Sequence, residues 1–287
     1  MTERSSQDVP LFSIVTPSRN MLRFLPICCS SVADQEVDYE HIVIDGASSD
    51  GTIEWLRNRQ DLLSVSEEDD GMYDAINKGI RLSRGQIISY LNCDEQYLPG
   101  ALQKVADVFQ QNPKVDILFG DTLLIRPDGS LLAYRKTFVP RWPYIWASHL
   151  YVHSSSMFVR RRVFDAGIMF DKRWRQVGDA DFVVRVLHSG FVASHVREYL
   201  SVFMFTGSNL GSGKHALVEL RAFRHRAPLW LRYSNPITSG LIRIEKMLNG
   251  AYREKMPLSY SVFTIDHPGS RSEFTPASVS PLYPKEG

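Results

Sequence analysis

The chain is poor in cysteine, lacks a long apolar run and carries almost no net charge, and each shortage removes a class of protein. Its three cysteines, Cys28, Cys29 and Cys93, are odd in number and lack metal-site spacing, so a disulfide framework is disfavoured and a reducing compartment fits. Met1 to Pro10 is polar with both charge signs, and only a short apolar run follows; no secretory signal or membrane span is read there, and a cytoplasmic location is expected. With 33 basic against 32 acidic residues the net charge is +1, which argues against nucleic acid as the main partner and leaves any charge-driven recognition to local patches. A glycine fingerprint is missing too. After the first apolar run stands TPSRN, which speaks against a dinucleotide-dependent dehydrogenase.

What is present is enough apolar material, 44% of 287 residues, for one large domain or a domain with an appendage. From Leu11 to Gly120 short β-favouring runs alternate with helical patterns. Strands are predicted near Phe12 to Thr16, His41 to Asp45, Leu62 to Ser66, Ile87 to Leu91 and Asp116 to Phe119, with helices near Leu22 to Ala33, Thr52 to Arg59, Tyr73 to Leu82 and Gly100 to Gln111. That alternation predicts βαβ units and a mostly parallel sheet covered on both faces. Pro127, Asp128 and Gly129 between two apolar runs read as a hairpin turn. Thr137 to Val152 is aromatic and irregular, and Phe191 to Phe205 has strand character. Beyond Gly207 the composition turns basic: residues 208–256 read as a two-helix appendage broken at Pro228 and Pro236, and 257–287, with many prolines and serines, as a loosely ordered tail. Residues 1–10 read as a polar N-terminal tail, and 11–207 as one domain with a ligand-binding half, 11–120, and a second half, 121–207.

The run IISYLNCDEQYLP is the strongest chemical signal, since a strand ends in Asn92, Asp94 and Glu95 before a helix begins. Ligands of open α/β sheets bind at such strand ends. Adjacent acids repel, and a divalent cation that carries phosphates relieves them; an acidic turn capping the next helix is the other reading. Asp45 ends another strand before the small-residue loop GASSDGT, suited to a ribose or base edge, although Asp50 can equally cap the next helix. Within SEEDDGMYDAINKG, Lys78 either pairs with Asp74 one turn earlier or offsets a diphosphate.

Taken in order, FSIVTPSRN, HIVIDGASSDGT, SEEDDGMYDAINKGIRLSRG and IISYLNCDEQYLPGAL resemble the nucleotide-sugar domain of family 2 inverting glycosyltransferases with the GT-A fold. The resemblance is nearest to the bacterial group that builds exopolysaccharide, colanic-acid-like or lipopolysaccharide chains, and it covers about Leu11 to Asn209. It implies that Thr16, Pro17, Asn20, Asp45, Asp70, Tyr73, Asp74, Asn77, Lys78, Asn92 and Cys93 lie on the side of the nucleoside diphosphate sugar, a UDP-sugar first among donors. It implies a Mn²⁺ or Mg²⁺ site at Asp94 and Glu95, where the family usually has a second Asp. In QVGDADFVVR it implies Asp179 as catalytic base, with Gly178 in place of a frequent Glu; capping of a helix by Asp179 is the structural alternative. Trp142, His153, Asp181 and Arg185 fall to the acceptor side, with the aromatic segment Trp142 to Tyr151 expected to pack against sugar faces. The acceptor is expected to be a glycan or lipid-linked saccharide. Trp230, Leu231 and Tyr233 among basic residues suit either contact with the inner membrane or packing on the sheet. A sugar nucleotidyltransferase would need a basic, glycine-rich phosphate loop that is missing after the first strand, and a noncatalytic carbohydrate-binding protein of the same fold remains the other alternative.

Overall fold

The computed structural model describes residues 9–206 and 214–279. The first eight residues of the polar tail, residues 208–213 of the basic appendage and the last eight of the C-terminal tail therefore lie outside the described residues. In chain order the elements are β1 (Phe12–Ser18), α1 (Leu25–Ala33), β2 (Tyr39–Asp45), α2 (Thr52–Arg57), β3 (Leu63–Ser66), α3 (Met72–Leu82), β4 (Ile87–Tyr90), β5 (Glu95–Tyr97), α4 (Ala101–Gln111), β6 (Ile117–Ile125) and β7 (Leu131–Arg135). There follow α5 (Trp142–Ala147), a 3-10 turn at Ser154–Ser156, β8 (Met157–Arg160), α6 (Arg161–Asp165), α7 (Gly178–His188), β9 (Ala193–Met204), α8 (Lys214–His225), α9 (Leu229–Arg232), α10 (Asn235–Leu248), β10 (Tyr260–Phe263) and β11 (Arg271–Phe274).

Nine strands form one sheet in the order β3-β2-β1-β4-β8-β6-β9-β5, with β7 on β6. The first four are parallel, as the alternation requires, and all of β1 and β4 is buried because helices cover both faces. Beyond β4 the sheet becomes mixed: β8 is antiparallel to both β4 and β6, while β6 and β9 run parallel. This departs from the mostly parallel expectation. Where β8 enters between β4 and β6 it runs against both, and the hairpin at Pro127 to Gly129 returns the chain as β7 alongside β6, which continues to Ile125, fully buried, past the expected end at Phe119.

Two further expectations are corrected. The C-terminal tail is paired rather than loose over its described part: β10 and β11 form an antiparallel hairpin with Val262 fully buried. The Gln96 side chain exchanges two hydrogen bonds with the Phe263 backbone, at 2.8 and 2.9 Å. Arg271 holds both Asp34 and the Tyr97 carbonyl. A few apolar side chains, Tyr260, Val262 and Phe263, suffice because they complete an existing core instead of building one. Among its described residues the appendage holds three helices, not two. Pro228 precedes α9 and Pro236 lies in the first turn of α10, where a missing N–H breaks no helical bond.

Candidate active site

Strand ends and helix starts meet in a cleft of about 460 Å³. Its floor comes from Pro17 and Ser18 at the tip of β1 and from Asn92, Cys93, Asp94 and Glu95 after β4. Its walls are Asp69, Gly71, Met72 and Tyr73 at the start of α3 and, packed directly against them, Arg175, Gln176 and Asp179 at the start of α7, with His153, Ser154, Phe203 and Thr206 completing the lining. A second cavity of about 540 Å³ opens behind it, lined by β6 and β7 residues, by His149 to Ser154 and by Lys246 of α10. His153, Ser154, Gln176 and Asp179 line both spaces, so these four form the partition between them.

Asp179 is fixed from several sides. The Tyr90 hydroxyl donates to its Oδ1, and its own N–H donates to the Tyr73 hydroxyl at 3.2 Å. Burial lifts its carboxyl to about 6, against the opposing effect of hydrogen bonds from Tyr90, Ser154 and Tyr73. Gly178 is required by packing: a Cβ there would come within 2.4 Å of the Tyr73 ring, so the aromatic ring occupies the space that a Glu at this position would need. The start of α7 is held from outside by Glu219 of α8, whose carboxylate accepts the N–H groups of Arg175, Gln176 and Val177. That supplies the cap that no local side chain provides.

The acidic run after β4 divides its work. Asp94 is half-buried in the cleft. Glu95 is turned back, its Oε2 accepting the Asn92 N–H at 2.8 Å, and burial, then the Asp94 charge, raises its pKa well above the ordinary carboxyl range. Among the described residues no three His, Cys, Asp or Glu side chains converge as a metal cage. One or two carboxylates with open space beside them suit a hard cation that completes its shell with phosphate oxygens and water. The thiols do not compete: Cys28, Cys29 and Cys93 are buried and burial raises all three pKa values.

Of the donor-side residues read from sequence, Pro17, Tyr73, Asn92 and Cys93 line the cleft. The others do not, for visible reasons. Asp45 is 0% exposed, its oxygens taken by the Ser48 N–H and by the Ser48 and Ser66 hydroxyls. Thr16 is buried against His41. Asn20, at φ 53°, accepts the Ser49 N–H and so ties the loop after β1 to the loop after β2. Asn77 exchanges two hydrogen bonds with the Phe170 backbone. Asp70 pairs with Lys172, and Asp74 with Lys172 and Lys78, while Lys78 also bonds Glu67; the helical pair thus wins over the diphosphate role in this arrangement.

On the acceptor side His153 lines both cavities, its Nδ1 on Ser155 Oγ and its ring against Phe203, and burial lowers its pKa to about 4, so it is neutral at pH 7. Trp142, Asp181 and Arg185 are corrected. Trp142 packs on Trp146, His188 and Trp230 and so joins α5 to α7 and α9. Asp181 lies two residues past Asp179, about 200° around the helix, and is buried in ion pairs with Arg185 and Arg226. Within the aromatic segment Tyr151 does line the second cavity. Sequence reasoning missed Arg19 and Arg175, cations that line the first cleft, and Gln176 in the partition. The signal was there without being used: Arg19 stands inside FSIVTPSRN, Gln176 opens QVGDADFVVR, and Arg175 immediately precedes it.

The family model for glycosyl transferase family 2 matches residues 13–166, which carry β1 through α6 and therefore most of the cleft floor. The chain belongs to glycosyltransferase family 2. A PGL/p-HBAD biosynthesis glycosyltransferase of Mycobacterium tuberculosis is 26% identical over 245 residues, covering 82% of this chain and 90% of that relative. The fold is shared with the S. aureus protein TarS 1-349 solved with UDP-GlcNAc (TM-score 0.56, 17% identity, 72% of this chain). The chain spans about 60% of that TarS fragment. It is shared also with the Pyrobaculum calidifontis mannosyltransferase PcManGT solved with GDP-Man and Mn²⁺ (TM-score 0.52, 15% identity, 88% of this chain and 78% of the other). These likenesses bear out the expected GT-A-type α/β fold, and this family member is a glycosyltransferase. Among the described residues no helix is long and apolar enough to cross a membrane.

Proposed function

We propose that the enzyme transfers a hexosyl group from a nucleoside diphosphate sugar, a UDP-sugar first, to an acceptor hydroxyl in one inverting displacement, in the assembly of a bacterial surface glycan or glycolipid. The observation that carries this reading is Asp179, a carboxylate in the partition between two cavities. The donor takes the cleft over Asp94 and the acceptor the second cavity. The acceptor oxygen attacks the anomeric carbon, its proton passes to the Asp179 oxygen not held by Tyr90, and the bond to the diphosphate breaks with its electron pair on the departing oxygen. Arg19 and Arg175 face that departing charge. A Mn²⁺ or Mg²⁺ held by Asp94, with Glu95 in reserve, supplies Lewis-acid stabilisation to the same oxygens when bound. The Gln176 side-chain Oε1 is buried without a hydrogen-bond partner among the described residues, an acceptor that a turn of the side chain would present to a sugar hydroxyl. The UDP-GlcNAc and the GDP-Man with Mn²⁺ in the two structural neighbours support the donor and the cation.

The test is a pH profile. A base that titrates at about 6 must be ionised to act, so kcat/KM for transfer should fall roughly tenfold per pH unit below 6 and level off above 7. A profile flat from pH 5 to 8 removes Asp179 from the proton transfer.

The C-terminal helices support a membrane contact. Leu229, Trp230, Tyr233, Ile237, Met247 and Leu248 are exposed, Tyr233 to 85%, and Arg221 and Arg243 are exposed on the same group of helices. Exposed apolar side chains among arginines suit an anionic lipid surface. In flotation the protein should rise with vesicles containing anionic lipid and a W230S/I237S variant should stay behind; wild-type protein that does not rise ends this reading.

A further inference from the structure

The second cavity carries an excess of positive charge that the transfer chemistry does not require. On β7 the alternation of a strand sends Tyr134 into the core and sets Arg135 towards this cavity, while Lys136, just past the strand, pairs with Glu254 at 2.9 Å. On α10, Lys246 lines the cavity, whereas its neighbour Glu245 turns to Arg141 at 3.0 Å and to the Tyr144 hydroxyl. His149, its Nδ1 on Ser148 Oγ at 2.8 Å, completes the basic side. Asp179 is the single carboxylate among the lining residues, and it stands in the partition. The Lys246 ammonium has no ion pair or hydrogen bond among the described residues, while its backbone carbonyl accepts the Ala251 N–H, and the Arg224 Nε, close enough to act on His149, is buried without a partner.

Gathering cations in this way costs folding free energy. Burial and then Arg135 depress the Lys246 ammonium, and burial followed by Lys246, Arg224 and Arg243 depresses His149. A ligand of opposite charge would reverse that cost, and in a partly enclosed cavity each pairing is worth more than it would be in bulk water. Arginine and lysine together suit an oxyanion.

Resting on the glycosyl-transfer reading above, we propose that this cavity selects an acceptor saccharide bearing an oxyanion, phosphoryl or carboxyl, seated between Lys246 and Arg135 while a hydroxyl of the same molecule reaches Asp179. Acceptor choice is then set by charge. The tryptophans expected to do this work are committed to joining helices.

The test compares dissociation constants of glucose 1-phosphate, glucuronate and glucose, measured by calorimetry on the full chain with UDP and Mg²⁺ saturating the donor side. At least one anionic sugar should bind tenfold or more tighter than glucose, and the order of the two tells a phosphoryl from a carboxyl source. K246M and R135Q should each reduce that preference at least fivefold while UDP binding is retained, which also shows that the variants are folded. Equal binding of the three sugars, or a preference that survives in both variants, overturns the proposal. Failure of the wild-type chain to bind UDP is a different result: it overturns the donor reading, and the three sugars are then compared on the unliganded chain.

Discussion

Asp179→Asn should lower the transfer rate by two to four orders of magnitude while UDP-sugar binding stays within about twofold, because a positioned base contributes about 10²–10⁴ and the donor contacts lie elsewhere in the cleft. The amide keeps the oxygen that accepts the Tyr90 hydroxyl and keeps the N–H bond to Tyr73, so the partition retains its shape. What it loses is the ability to take a proton. Stability should move the other way. The folded carboxyl titrates at about 6 against an ordinary 3.8, so the fold favours the protonated form: its contribution is fully present below pH 3.8 and lost as pH rises through 6. Replacing the buried charge should therefore raise Tm at pH 8 and leave it nearly unchanged at pH 3.5, a pattern that a misfolded variant would not give. Single-turnover transfer with radiolabelled donor, read beside thermal melts at the two pH values, separates the two effects. Transfer within tenfold of wild type would take the base role from Asp179.

Much of this was legible in the sequence, and where it was not the reason is physical. The strand tips that form the cleft floor follow from apolar runs stopped by Pro17 and by Asn92 to Glu95, because a β-rich run ending in polar residues has one common meaning in an α/β sheet. The ownership of the carboxylates was harder. Asp45, Asp70 and Asp74 share the strand-end and helix-start positions of ligand-binding acids, yet Ser66, Lys172 and Lys78 already satisfy them, and two of those partners are more than 20 residues distant from the acids they meet. Glu219 shows the same limit from the other side. It reads as an isolated acid in a basic stretch, but it caps α7 from 43 residues away. Trp142 fails for another reason: aromatic composition alone does not distinguish a sugar platform from a helix seam. The tail beyond Pro257 was misread because composition measures how much core a segment can build, not how much of an existing one it can cover.

Asp94→Asn should cost transfer at least a hundredfold, and added Mn²⁺ should not restore it. The departing diphosphate carries the largest charge that develops in the reaction, and removing one preorganised stabiliser of such charge costs about 10²–10³ in rate. Asp94 is the acid of its run that is half-buried at the cleft, whereas Glu95 is fully buried with an oxygen committed to the Asn92 N–H. Glu95→Gln keeps that acceptor and should lose less than tenfold. Arg175→Gln gives an intermediate case. Its guanidinium donates to the Asp70 carbonyl beside Gly71, a glycine at φ +104°, so the change both removes a cation from the cleft and frees the loop that leads into α3. Rates measured across a Mn²⁺ titration discriminate these roles, because loss of a cation ligand shifts the half-saturating Mn²⁺ concentration and loss of a direct diphosphate contact does not. If Glu95→Gln shifts that concentration and Asp94→Asn leaves it in place, the two carboxylates exchange roles, and the cation belongs at the buried end of the run.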